Sequence, residues 1–336
     1  MKTRTSALFV IAVLFVTIAV TSTARASACD AAAESTEIKM LGDWLPWAAQ
    51  APFITAKAEG YYKAEGLDFE LIPPANPADT IKLVAGQSVH FTMTYVPDIM
   101  QAREAGIPII SVAALLRPLS TGLEVHGDSG IMTPADLKGK TLAVNAIPSA
   151  LAEMRTVLAS GGLTENDVKV IDPGYAGITM LLENKVDALW GLSIADPYIM
   201  NPVLAAQGKP PIRFFANKDY GVPNYYFMVI GGSEEWVKKN PAATCRYLRA
   251  SLKGLESWLS NPAKYIKIIS DANDLYSHEQ HSDMAGGVKS SWKDTDGTVF
   301  RQDLAVWEKA QTWALAQELL TKKVDASQFF SNDFLE

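Results

Sequence analysis

From Glu37 to beyond Asp196, short apolar runs alternate with amphipathic stretches, and the punctuation between them repeats. Proline stands early in the amphipathic stretch and glycine closes it, as Pro52 does with Gly60 and Pro97 with Gly106. Proline suits a helix's first turn, where its missing N–H would be unpaired anyway, and glycine takes the backward turn that ends one. The runs at 37–41, 67–72, 89–94 and 107–116 read as strands. The last, IPIISVAALL, is apolar throughout, as a strand covered on both faces must be. The pattern then restarts. TPADLKGKTLAVNA gives a short helix and a strand, Pro148 opens a helix through Leu158, and VKVIDPG is a strand. A helix over 175–185, the strand VDALWGL and a helix from Asp196-Pro197 follow. LVAGQSVHF at 83–91 is echoed by LLENKVDAL at 181–189, and from Tyr225 one strand, YYFMVIGG, precedes helices to the end. This predicts an α/β chain of two lobes, each an open, mainly parallel sheet flanked by helices. The first lobe spans 37–120, the second 121–224, and 225–336 returns to the first lobe and adds the C-terminal helices.

The ends say where such a chain works. Lys2 and Arg4, the apolar stretch 7–20 and Ala24-Arg25-Ala26 have the order of a secretory signal peptide over 1–26. The apolar stretch is short for a membrane span. Residues 27–36 read as a polar, flexible leader. Within it Ala26-Ser27-Ala28-Cys29 is a loose lipobox, which makes lipid anchoring at Cys29 the alternative to a free periplasmic protein. Loss of 1–26 removes Lys2, Arg4 and Arg25 and no acid, so the net charge moves from −7 to −10. That surface does not suit nucleic acid. Cys29 and Cys245 are far apart in sequence, so no disulfide framework is expected.

In open α/β sheets ligands bind beyond the carboxyl ends of the strands. The first such loop carries DWLPW, with Asp43, Trp44 and Trp47. Tyr95, Trp190 and Tyr225 stand at comparable ends, so their rings converge on a cleft between the lobes; core packing is the competing explanation. The polar candidates are Asp43, Thr94, Ser120, Thr121, Asn145, Ser149, Asp196 and Asn224. Helix capping competes for several of them, most directly for Ser149 and Asp196 beside early-helix prolines. Arg117 is the one cation close to the expected cleft. No nucleophile elbow, dinucleotide fingerprint or C-x-x-C occurs, and GKT at 139–141 lacks the first glycine of a P-loop. His278 and His281 have no third ligand in sight, so neither metal nor cofactor is expected.

The segment DWLPWAAQAPFITAKAEGYYKAEGLDFEL, with AGIPIISVAALL and LKGKTLAV, resembles the NMT1/THI5-like family of ABC-transporter solute-binding proteins. The resemblance covers about 37–235. It implies a type II periplasmic-binding-protein fold, a monomer that closes on a small-molecule ligand, and delivery to an inner-membrane ABC permease and its ATPase. The implied ligand is a thiamin-precursor pyrimidine or related heterocycle, with Asp43 and Trp44 matching the family's pyrimidine-facing turn; from the residues' own placement, Trp44 and Trp190 are expected to stack on it and Asp43, Asn145 and Asn224 to hydrogen-bond it. A sulfonate, carboxylate or flavin-like ligand, or a pyrimidine-synthesising enzyme on the same fold, are the alternatives. Two departures stand out: Trp47 occupies a position where pyrimidine-binding members commonly have asparagine, and the clustered cysteines of the fungal synthases are absent.

Overall fold

A computed structural model of the protein describes residues 28–76, 80–294 and 296–335. The expected signal peptide lies outside them. The first stretch of chain gives β1 (Glu37–Leu41), α1 (Ala51–Ala58), α2 (Tyr61–Ala64), β2 (Asp68–Ile72), α3 (Thr80–Ala85), β3 (Phe91–Thr94), α4 (Val96–Glu104) and β4 (Ile109–Leu116). The second gives β5 (Thr121–Val125), β6 (Thr141–Ala143), α5 (Pro148–Ser160), β7 (Lys169–Ile171), α6 (Gly177–Leu182), β8 (Ala188–Leu192), α7 (Asp196–Ala206) and β9 (Arg213–Ala216). The last gives β10 (Met228–Ser233), α8 (Glu234–Lys239), α9 (Pro241–Ser260), α10 (Ala263–Ala272), α11 (His278–Val288) and α12 (Leu304–Ala316). Pro52, Pro97, Pro148 and Pro197 all sit in first helical turns.

These strands make two five-stranded sheets, ordered β2-β1-β3-β10-β4 and β7-β6-β8-β5-β9. Each is parallel except for one reversed strand: β10 is antiparallel to β3 and β4, and β5 to β8 and β9. β1 aligns Glu37 with Asp68 and Leu41 with Ile72, so the loops leaving β1 and β2 emerge side by side. The chain crosses between sheets at 117–120 and 217–227, where the Leu119 N–H donates to Asn224 Oδ1 at 2.9 Å. All eight residues of β4 are buried although β4 ends its sheet. Bridges from Ser111 to Phe330 and Ala114 to Phe300 cover that edge with the C-terminal segment. The sequence reading does not separate β5 and β9. TGLEV carries a glycine and a carboxylate, a weak strand signal, yet Gly122 is required because a Cβ there would stand 2.5 Å from the Phe214 ring and Phe215 O.

The first lobe's core is aromatic. Phe53, Phe69, Tyr62, Phe91 and Tyr247 stack in one group between sheet and α9. The second is built on Leu123, Leu142, Met154, Trp190 and Phe215.

Three expectations about the N-terminus are corrected. Cys29 and Cys245 form a disulfide, with Cα atoms 5.1 Å apart across 216 residues of sequence. Separation in sequence misled because α9 returns across the first lobe and brings Cys245 beside the leader. A sulfur so engaged cannot carry a lipid thioether, so lipid anchoring at Cys29 is withdrawn. Nor is the leader loose from residue 28 onward. The Arg246 Nε–H donates to the carbonyls of Cys29 (3.1 Å) and Ala31 (3.0 Å), and Glu34 accepts the free N–H groups of Ala242 and Ala243 at the start of α9.

Candidate functional site

The loop after β1 is held in shape from within. Asp43 is 7% exposed, and its carboxylate accepts the Trp47 indole N–H (3.1 and 3.3 Å) and the Gln50 amide (3.2 Å). The same Gln50 amide donates to Trp44 O at 3.0 Å. Burial pushes the Asp43 carboxyl up to about 6, with those donors pulling the other way. Trp47 is 4% exposed and belongs to the first lobe's core. Its tryptophan identity therefore supplies a donor to Asp43 and keeps Asp43 aimed. Trp44 is half-buried, and its ring meets Tyr175 edge-on at 4.5 Å and 72°.

These groups line a cavity of about 90 Å³ between the lobes. One water-sized group needs about 10–15 Å³, so the space takes roughly six to nine of them, the size of one substituted six-membered ring. The first lobe contributes Asp43, Trp44, Trp47 and Tyr95, with Tyr276 and Met284 from the segment around α11. The second contributes Asn145, Tyr175, Trp190, Gly191, Asp196 and Ile199 among others. Tyr95 meets Trp190 edge-on at 6.4 Å; burial and the nearby Asp43, Asp98 and Glu153 carboxyls hold its hydroxyl neutral. Asn145 Nδ2 donates to Gly174 O at 3.0 Å, which fixes the amide's direction. Trp190 donates its indole N–H to Glu153 at 3.1 Å. Among the described residues, no lysine, arginine or histidine lines the cavity.

Seven of the sequence-derived candidates thus share one cavity: Asp43, Trp44, Trp47, Tyr95, Asn145, Trp190 and Asp196. The other six lie around it in supporting positions. Thr94 is buried in β3 beside β10. Ser120 and Asn224 sit at the crossings, Ser120 bonding Pro118 O and Asn224 bonding Leu119 N–H. Thr121 accepts from Asn217 Nδ2 at 2.9 Å, and Asn217 and the Tyr225 hydroxyl both donate to Glu153. Ser149 binds Asp98 across the lobes. Arg117 is turned away from the cavity, paired with Asp294, bonded to Arg301 O and lying 5.0 Å over the Tyr226 ring. Gln50, Asp98, Glu124 and Tyr175 were not singled out from sequence. The one signal for Glu124 was a carboxylate alternating with apolar residues in TGLEV.

The two facing sheets and the cavity between them define a two-lobe fold of the type II periplasmic-binding-protein class. Similarity agrees on the architecture: the alkanesulfonate-binding protein SsuA from Xanthomonas axonopodis pv. citri, solved with MOPS bound, superposes with a TM-score of 0.69 at 18% identity, covering 89% of this chain and 99% of that one. The chain belongs to the NMT1/THI5-like family, whose model matches residues 47–265. The formylaminopyrimidine-binding protein of Halalkalibacterium halodurans is 29% identical over 326 residues, 96% of each chain. A 4-amino-5-hydroxymethyl-2-methylpyrimidine phosphate synthase of Saccharomyces cerevisiae is 26% identical over 278 residues, 78% of this chain and 82% of the synthase.

Proposed function

We propose that this protein is the solute-binding component of an ABC importer and captures a single-ring aminopyrimidine of the thiamin-precursor kind outside the inner membrane. The observation that carries the reading is a buried, aimed carboxylate, Asp43, inside aromatic walls. A carboxylate is acceptor-only when ionised, so it selects ring amino N–H donors. Trp44, Tyr95 and Trp190 offer ring surfaces, and Asn145 adds a fixed amide. Lobe closure, the hinge motion known for periplasmic binding proteins as a class, buries the ring. The 29%-identical formylaminopyrimidine-binding protein supports the ligand class. The sulfonate and carboxylate readings lack a lining cation among the described residues, since Arg117 is engaged elsewhere, and the cavity is small for a flavin.

The synthase reading is the competitor, favoured by the yeast relative. It requires a nucleophile or a cofactor-holding lysine or histidine, and the described lining offers rings, amides, carboxyls and aliphatic side chains without a serine, cysteine, lysine or histidine. Calorimetry with 4-amino-5-hydroxymethyl-2-methylpyrimidine, its formylamino derivative and an alkanesulfonate tests the proposal. Binding of the pyrimidines without turnover is expected. Binding of the sulfonate alone, or consumption of the pyrimidine, would overturn it.

A further inference from the structure

Two carboxyl groups meet in the second lobe's wall of the cavity. Glu124 on β5 is fully buried, and among the described residues no N–H or O–H donor is bonded to either of its oxygens. Asp196, in the first turn of α7, lines the cavity and accepts the Leu192 N–H at 2.8 Å. They converge at Gly191, which also lines the cavity: a Cβ there would lie 2.4 Å from Glu124 Oε2 and 2.5 Å from Asp196 Oδ2. The missing side chain leaves room for both carboxyls behind one wall. Glu124 lies on the same face of the sheet as Leu189, its register partner, which lines the cavity as well.

Two carboxyls this close and this buried do not both ionise. Burial raises both, Asp196 to about 7; Asp196 drives Glu124 higher still, whereas the Leu192 N–H and the bond to Glu124 pull Asp196 back, so one shared proton lies between them when no other donor is present. Tyr276 also faces Asp196, and burial with that neighbouring charge keeps it neutral. A buried acceptor without a donor is costly, and an ammonium group is the donor that also balances the charge.

We propose that Glu124 and Asp196 form an ammonium subsite, so that the preferred ligand is an aminopyrimidine carrying a second, basic amine directed at the second lobe. This rests on the aminopyrimidine reading of Asp43 and narrows it from a neutral ring to a cation.

The test is calorimetry of the wild-type protein at neutral pH with three derivatives of one 4-aminopyrimidine, bearing aminomethyl, N-formylaminomethyl or hydroxymethyl groups. The aminomethyl compound should bind roughly 10- to 150-fold more tightly than the other two, the range for a hydrogen-bonded charge. Glu124→Gln should bring its affinity down to that of the hydroxymethyl compound, with near-wild-type melting behaviour as the control for folding. Equal affinities in the wild type, tighter binding of the formylated compound, or an amine preference that survives Glu124→Gln would overturn the subsite while leaving the aminopyrimidine reading in place. Failure of all three compounds to bind would sink that reading itself.

Discussion

The Asp98 carboxylate of the first lobe accepts two hydrogen bonds from Ser149 of the second, one from its backbone N–H at 2.9 Å and one from its hydroxyl at 3.1 Å. Both residues are buried, Asp98 one turn beyond Tyr95 and Ser149 two residues beyond Ile147, so the clasp closes beside the cavity. Ser149→Ala deprives a buried acceptor of a donor, at a cost of ~1–3 kcal/mol. If closure draws on this contact, ligand affinity should fall roughly 5- to 150-fold. Calorimetry on the variant checks it, and wild-type affinity would show that the clasp does not hold the lobes.

Trp44→Ala separates stacking from packing. Trp44 is half-buried and touches Tyr175 across the cleft, so the ligand-free melting temperature should change little. Stacking on a nucleobase-like ring is worth ~1–3 kcal/mol, a loss of roughly 5- to 150-fold in affinity. A large fall in melting temperature with unchanged affinity would make Trp44 a core residue.

Gly287 on α11 faces the second lobe. A Cβ there would stand 2.4 Å from both Ile194 O and the Tyr198 ring. Gly287→Ala should push the lobes apart at an overpacking cost of ~1–3 kcal/mol. The variant's radius of gyration, measured by X-ray scattering with ligand present, should exceed that of the wild type. An identical value would mean that the two helices do not set the closed distance.

The pH dependence follows from buried acids. Burial raises Asp98 and Asp196 to about 7. Between their ordinary values and 7 the folded protein binds more protons than the unfolded chain, so their contribution is full in acid and lost as pH rises through 7. His90 and His281, lowered by burial, act in the opposite sense below 6.5, so pH 6.5–8 is the clean window. Each carboxyl near 7 should cost about 1 kcal/mol across it. The ligand-free protein should therefore melt at a lower temperature at pH 8 than at pH 6.5; calorimetric scans showing the reverse would contradict the burial of these groups.

The alternation of strand and helix was legible because it is local: Pro52, Pro97, Pro148 and Pro197 mark helix starts whatever surrounds them. The cavity's first-lobe loop was legible for the same reason, since Asp43 and Trp44 follow a clear strand. What escaped depends on partners distant in sequence. Cys29 meets Cys245 only because α9 folds back, Ser149 finds Asp98 from the other lobe, and Glu124 looks like an ordinary strand residue until β8 places Gly191 against it. Trp47 was legible as a ring, whereas its indole N–H matters through the turn that brings it to Asp43. Thr94, Ser120, Thr121, Asn224 and Tyr225 fall at the right ends of strands, yet strand ends also build the crossings.

The two sheets differ in how the ribosome delivers them. All five strands of the second sheet come from one uninterrupted stretch, 121–216, whereas the first sheet takes four strands from 37–116 and the fifth, β10, from 228–233. β10 lies between β3 and β4, so the earlier strands wait with a gap in their ladder until it is made, and Cys29 waits longer still for Cys245. Domains assemble as units during synthesis, so the second lobe can finish while the first remains an unfilled sheet. The chain's own connectivity thus keeps its beginning unfinished until its last third has been synthesised.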